Sequence, residues 1–444
     1  MGERLLVVGG DGAGMSAAAQ ARRRNPELEI VALEMGRWTS YSGCGIPYLI
    51  GGSIDSVNDL IARSPEEFRA MRIDVRTEHE VIGLDLASRK AEVHNRAHGR
   101  TFQLGFDLLH VATGSRPKRP DLPGLELPQV HGVQTLTDAS RLLDDARTRR
   151  PRQVVVMGSG YVGLELAEAF VIRGASVTVV EPGPDVMAGL DRDMAPLVAR
   201  AMRQAGITVR TGEEVTAVTE ASVVTSGGEI PADLVILGLG VEPNSDLGAE
   251  AGLDTGVRGA LLVDRQQRTS SEGVWAAGDC CQSFHMITGR PLYWPLGTVA
   301  NKQGRVAGIN IAGGYATFPG VAGTAVTKIC RVEIGRTGLG EREADRAGFS
   351  AVGCRVEATT TASYVPEVQH TTVKLLAERG SGRVLGAQIV GGQGSAKRVD
   401  VIATALAGRL TVDDLIGLDL GYSPAFSSLW DPLQVAARQI LPQL

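Results

Sequence analysis

A single cysteine, Cys44, stands in the glycine-rich run SYSGCGIPY at residues 40–48, with Ser40 four positions before it. The other four cysteines (280, 281, 330 and 354) are remote in sequence. Two neighbouring thiols can close an internal disulfide. A solitary one must take its partner from solution, giving a mixed disulfide with a small thiol or a sulfenic acid. Pro47 favours a helix start over IPYLIGG, which would put Cys44 at the positive end of a helix dipole and stabilise its thiolate. The chemistry this suggests is sulfur redox, which requires a source of electrons.

Two segments supply candidates for that source. RLLVVGGDGAGMSAAAQARRR reads as a buried strand, a glycine turn and a small-residue helix. Gly9 and Gly14 hold the outer positions of a G-x-G-x-x-G pattern, with Asp11 in the middle and Gly12 beside it. The following strand, EIVALE, ends at Glu34, twenty residues after Gly14, where a carboxylate can accept hydrogen bonds from a ribose. The second copy, QVVVMGSGYVGLELAEAFVIRGASVTVVE, supplies Gly158, Gly160, Tyr161 and Gly163, then Glu165 in the helix and Glu181 closing the next strand. Bare amides at such a helix start can cradle a pyrophosphate. Glu181 would repel a 2'-phosphate, and no arginine follows before Arg192, so NADH is expected over NADPH.

The whole chain fits small-molecule chemistry. Its 444 residues, 43% apolar, suffice for two to four domains. Lys and Arg number 45 against 50 Asp and Glu, a net charge of −5 without charged blocks, which argues against nucleic acid or anionic membranes as partners. No apolar run reaches the roughly 18 residues of a membrane span. The start MGERLLVVGG lacks the pattern of a signal peptide, and five sparse cysteines fit a reducing cytoplasm better than a disulfide framework. Cys280 and Cys281 are expected to pack close to a ligand, and Cys330 and Cys354 to lie in core strands. No histidine cluster has metal-ligand spacing, so no metal is expected.

Further blocks complete a pattern: ATG at Ala112, Thr113 and Gly114, GLGVEPN from Gly238 through Gly240 to Asn244, and GD at Gly278-Asp279. Together with the two loops and PLGTVANKQGRVAGINI, the chain resembles the pyridine nucleotide-disulfide oxidoreductase superfamily of flavoproteins along essentially its whole length. The resemblance implies an α/β fold with two Rossmann-like domains and a C-terminal α+β dimerisation domain of alternating strands and two helices. Residues 1–113 and 245–320 would bind FAD, 114–244 NAD(P)H, and 321–444 would pair two subunits into a homodimer. Gly9, Gly12, Gly14, Glu34, Ser40, Thr113, Gly114 and Asp279 would contact FAD, with Asp279 on its ribityl chain. Gly158, Gly160, Tyr161, Gly163, Glu165, Glu181 and Gly240 would contact NADH.

The Ser-x-x-x-Cys-Gly block, Ser40 to Gly45, is similar to the single-cysteine branch, which comprises coenzyme A-disulfide reductases, NADH oxidases and NADH peroxidases. Gly12 stands where peroxidases carry a histidine, which favours the reductases. Their two interface tyrosines correspond to Tyr364 and Tyr422, which would assist a departing thiolate in the partner's site. Gln20, Arg23 and Ser40 match positions that contact coenzyme A. Three consecutive arginines, Arg22 to Arg24, equally suit the last turn of a solvated helix. Gly43 departs from the asparagine that many reductases have before the cysteine. The expectation is NADH-driven reduction of coenzyme A disulfide, persulfide or polysulfide through a mixed disulfide on Cys44. The rivals are an NADH oxidase that reduces dioxygen to water or hydrogen peroxide and, more distantly, a redox sensor that binds FAD and NADH with slow turnover.

Overall fold

The computed structural model describes residues 2–444. Hydrophobic runs such as RLLVV and QVVVM are buried on both faces, as central strands of parallel sheets must be. The first parallel sheet has five strands in the order Val274–Ala276, Leu108–Val111, Arg4–Val8, Glu29–Leu33 and Ile73–Arg76. The chain leaves Arg4–Val8 in one direction and later returns on its other side. A crevice therefore opens at the carboxyl ends of Arg4–Val8 and Leu108–Val111, the usual ligand position in such sheets.

A second parallel sheet repeats the plan in the order Thr208–Thr211, Ser176–Glu181, Gln153–Met157, Leu234–Leu237 and Val130–Gly132. The two crossings between the sheets, Ser115–Pro117 and Val241–Pro243, pair antiparallel with each other. A third, antiparallel sheet follows, in the order Ala325–Ile329, Val332–Gly338, Val384–Gly391, His370–Glu378 and Ala351–Thr359. Its helices are four rather than two: Glu341–Ala347, Val399–Gly408, Val412–Ile416 and Pro432–Ile440. The short ones, of five and seven residues, are too brief to leave a clear helical period in the sequence.

Helix α1 (Gly12–Arg24) starts directly after the first glycine turn, α2 (Ile46–Gly51) follows Cys44, α3 (Tyr161–Ile172) follows the second glycine turn, and α4 (Gly297–Ile311) closes the first sheet's layer. Helices α1 and α4 meet backbone to backbone. A methyl at Gly304 would stand 2.2 Å from the Ala13 carbonyl oxygen, and one at Gly308 2.3 Å from that of Ala17. Only glycine permits that approach, and it brings the N-terminal turns of both helices to the mouth of the crevice.

Candidate functional site

The two glycine loops are built alike. Gly9 (φ 109°) and Gly158 (φ 94°) occupy backbone conformations that L side chains rarely adopt. A Cβ on either would also strike the neighbouring strand's exit, at 2.1 Å from the Ala112 oxygen and 2.5 Å from the Gly238 oxygen. Gly14 and Gly163 then let each helix settle on its own turn, where a Cβ would lie 1.9 and 2.4 Å from the carbonyl oxygens of Gly9 and Gly158.

The acids at the ends of the second strands are held by matching bonds. Glu34 accepts from the amides of Gly10 at 2.8 Å and Gly36 at 2.7 Å. Glu181 accepts from the amide of Ser159 at 3.0 Å, its hydroxyl at 2.6 Å and the amide of Gly183 at 3.0 Å. Both oxygens of Glu34, and the Glu181 oxygen that accepts from Gly183, keep lone-pair capacity for a ribose hydroxyl. Burial pushes the Glu34 carboxyl up. Asp11 accepts from the Tyr41 amide at 3.0 Å, and its own burial raises its pKa to about 6. Ser159 and the amides of Gly10 and Gly36 were not singled out by the glycine pattern, which marks where the backbone must turn and not what receives the carboxylates.

Around the crevice, Asp279 accepts from the Ser115 hydroxyl at 3.0 Å, and Ser115 accepts from Gln134 at 2.9 Å. Burial raises the Asp279 pKa. Thr113 donates to the Asn244 carbonyl at 2.5 Å, and Asn244 returns a bond to the Thr113 carbonyl at 3.1 Å, joining the two crossings. Gly114 (φ 71°) and Gly240 (φ 80°) turn the chain at those crossings. The space where a Cβ would stand on Gly114 or on Gly297, at the start of α4, is open. The buried Tyr293 hydroxyl has no hydrogen-bond partner among the described residues. An open, glycine-lined crevice with a buried carboxylate fits a dinucleotide such as FAD.

Cys44 lies in a single 3-10 turn, Gly43–Gly45, immediately before α2. Ser40 (φ 48°) is strained, and its backbone is fixed from both sides: its amide donates to Gly10 at 2.9 Å, and its carbonyl accepts from Ala62 at 2.8 Å. A Cβ at Gly45 would fall 2.2 Å from Leu60, so this glycine admits the turn. Helix α2 packs against α3, and Arg173 donates to the Ile50 carbonyl at 3.0 Å. The cysteine is exposed and free. The expected thiolate stabilisation does not prevail: although the residue reaches the surface, its sulfur is partly enclosed, and this desolvation, with Glu165, Asp279 and Asp11 nearby, pushes the Cys44 thiol up. The start of a six-residue helix does not offset desolvation and three carboxylates together.

Glu165 and its neighbour Glu168 reach the third sheet, accepting from Thr327 at 2.7 Å and Lys328 at 2.7 Å. Gly160 and Tyr161 stand at the start of α3, where burial raises the Tyr161 phenol to about 12. Tyr364 and Tyr422 lie near each other and exposed, in a region where Phe426, Leu429 and Trp430 are also exposed. Among the described residues, neither tyrosine bonds Cys44 of its own chain. Arg22 is spent on the carbonyls of Pro26 and Arg72, whereas Gln20 and Arg23 have no side-chain partner among the described residues. Ser16 donates to Asn301 of α4 at 2.7 Å on this part of the surface, a pairing across 285 positions that no local pattern announces.

The remaining cysteines divide. Cys280 and Cys281 are buried with their sulfurs 3.6 Å apart, and Cys354 is half-buried in its strand. Cys330 is not core: it is exposed at a hairpin turn with φ 51°, because the two apolar strands on either side conceal a two-residue reversal. Asp191, Asp193 and Glu341 converge closely enough to suggest a cation site, but the Lys374 ammonium sits among them at 3.2, 2.6 and 2.9 Å. Among the described residues no helix is long and apolar enough to cross a membrane.

Two dinucleotide-type crevices in a chain with an exposed, free cysteine are the arrangement of a nucleotide-dependent oxidoreductase. Residues 3–304 match the family described as pyridine nucleotide-disulphide oxidoreductase, and residues 324–432 match its dimerisation domain. The chain belongs to this family. It is 36% identical over 442 residues to the NAD(P)H sulfur oxidoreductase (CoA-dependent) of Pyrococcus furiosus, covering 98% of each chain. It is 35% identical to an NADH oxidase of Methanocaldococcus jannaschii, covering 99% of each. Among solved structures it resembles a NAD-dependent persulfide reductase from A. fulgidus with a TM-score of 0.96 and 36% identity, covering 99% of this chain and 83% of that one.

Proposed function

We propose that the protein is an FAD-dependent NAD(P)H oxidoreductase that reduces coenzyme A disulfide or a coenzyme A persulfide or polysulfide through Cys44. The observation that carries this reading is one exposed, unpaired cysteine, fixed by a strained turn between two nucleotide crevices. The FAD domain would comprise residues 1–113 and 245–320, the NADH domain 114–244 and the dimerisation domain 321–444.

In the first crevice, the amides of the Gly9–Gly14 turn would meet the pyrophosphate, Glu34 the ribose and Asp279 the ribityl chain, with Ser40, Thr113 and Gly114 as walls. In the second, the Gly158–Gly163 turn with Tyr161 and Glu181 would hold NADH, and Glu165 and Gly240 would border its nicotinamide end. Bound FAD supplies two-electron transfer between nicotinamide and sulfur. Cys44 thiolate attacks a sulfur of the substrate disulfide, forming a Cys44–coenzyme A bond and releasing one thiolate, or hydrosulfide from a persulfide. Two electrons from NADH then cleave that bond, returning Cys44 and a second thiol, so that NADH, a proton and one disulfide give NAD+ and two thiols. Tyr422 and Tyr364 of the partner subunit would donate to the departing thiolate, and Gln20 and Arg23 would bind the phosphates of coenzyme A. The sparse cysteines suit a reducing cytoplasm.

Intact-mass spectrometry of the denatured, unreduced protein tests the reading. A reductant-sensitive added mass of one coenzyme A, absent from Cys44→Ser, is expected. An unmodified or oxygen-added Cys44 together with fast oxygen consumption would replace it with the oxidase reading.

A further inference from the structure

Arg336 belongs to the third sheet, yet its side chain, 6% exposed, makes its contacts across the chain. It donates to the carbonyl of Gly189 at 2.5 Å, in the loop that follows the nucleotide-binding acid Glu181. It also donates to the Gly338 carbonyl at 3.1 Å and pairs with Glu343 at 2.6 Å within its own layer. Its guanidinium lies 5.7 Å from the ring centre of Trp294, three residues before α4 begins. One planar fork thus touches segments from all three layers.

The loop that Arg336 grips leads back to the nucleotide site. Two residues before Gly189, the amide of Met187 donates to the Ser159 hydroxyl at 3.0 Å, and that hydroxyl donates to Glu181 at 2.6 Å. Met187 itself is buried with φ 50°, so this loop has little freedom to adjust. The Tyr161 phenol, at the start of α3, lies in the field of Arg336 and Glu343.

We propose that Arg336 is a positioning residue for the nicotinamide nucleotide: by holding the Gly189 carbonyl it fixes the loop that orients Ser159 and Glu181. The inference rests on the reading that the second glycine loop and Glu181 bind NADH. Arg336 reaches no reacting atom, so its loss weakens binding rather than the chemical steps.

The test is steady-state and equilibrium NADH binding by the FAD-loaded protein, comparing Arg336→Gln, Arg336→Lys, Gly189→Ala and Glu181→Ala. Arg336→Gln should raise the NADH KM and Kd about tenfold while kcat at saturating NADH stays within about twofold. Arg336→Lys should recover part of the loss, since an ammonium can reach one acceptor but cannot form the fork. Gly189→Ala keeps the arginine and approaches it from the loop, its Cβ falling 3.0 Å from Nη1, and should raise the NADH KM by a smaller factor. It decides the matter if Arg336→Gln does not fold. FAD content and the alkylation rate of Cys44 should stay unchanged throughout. Unchanged NADH binding in Arg336→Gln and Gly189→Ala, with Glu181→Ala impaired, overturns the proposal and leaves the NADH site standing. Unchanged binding in Glu181→Ala as well overturns the site assignment itself.

Discussion

Arg173, at the end of α3, donates to the carbonyl of Ile50 in α2 at 3.0 Å. The cysteine turn is therefore fastened to the helix that begins with the second glycine loop, across 123 residues of sequence. Cys44 is thus positioned by the layer proposed to deliver NADH as well as by the layer proposed to hold FAD.

Cys44→Ser should abolish reduction of coenzyme A disulfide while NADH still bleaches the flavin in an anaerobic stopped-flow experiment. Serine keeps the turn but cannot form the mixed disulfide. Disulfide turnover at the parental rate would remove Cys44 from the mechanism.

Glu165 is among the carboxylates that push the Cys44 thiol up. Neutralising it in Glu165→Gln removes a negative charge that opposes thiolate formation, so the thiolate fraction at neutral pH should rise. Iodoacetamide should then alkylate Cys44 a few-fold faster at pH 7, with the rate-against-pH curve displaced to lower pH. A displacement to higher pH would show that the Thr327 bond, and not the charge, is what the thiol senses.

Gly304→Val should lose bound FAD and destabilise the protein by about 1–3 kcal/mol or more, the usual cost of overpacking. The reason is the contact of α4 with the Ala13 carbonyl, which an added Cβ would violate. FAD absorbance after gel filtration and the thermal midpoint both report it. Full FAD content would mean that the helices separate without disturbing the crevice.

Lys374 is 5% exposed by its side chain and serves three carboxylates. Without the ammonium, Asp193 and Glu341 can turn to water but the buried Asp191 is left short of a partner, so Lys374→Met should cost about 1–3 kcal/mol. The Lys374 pKa is raised above its ordinary 10.5, so the folded state holds this proton more tightly than the unfolded one. Its stabilisation is complete below pH 10.5 and fades as pH climbs through the raised value. Urea midpoints measured from pH 8 to 11.5 should fall steeply at the alkaline end for the parent and less for Lys374→Met.

Much of this was legible in the sequence because it is local. A glycine turn, its helix and the acid at the next strand's end lie within about thirty residues, and their types follow from backbone geometry. The two parallel layers and the turn at Cys44 come from such runs. What escaped is long-range. Nothing near Arg336 announces Gly189, 147 positions away, and nothing near Lys374 announces Asp193, 181 positions away. The raised Cys44 thiol has the same origin: the helix start is local, but the enclosure of the sulfur and the approach of Glu165 and Asp279 come only through folding. Cys330 was misplaced because a two-residue hairpin between apolar strands reads as one continuous run.

The matching cradles of Glu34 and Glu181 carry a last consequence. In each, one amide comes from the glycine turn and one from two residues past the acid: Gly10 and Gly36 in the first, Ser159 and Gly183 in the second. The correspondence extends to individual bonds, so one local arrangement of turn, helix and acid has been built twice in the chain. Ser159 stands where the first turn has Gly10, and its hydroxyl is the group that engages Met187. Each turn is thus tied to the loop six residues past its acid, through the Gly10 carbonyl and the Ser40 amide in the first copy and through the Ser159 hydroxyl and the Met187 amide in the second, so that a side chain does in one cradle what the backbone does in the other.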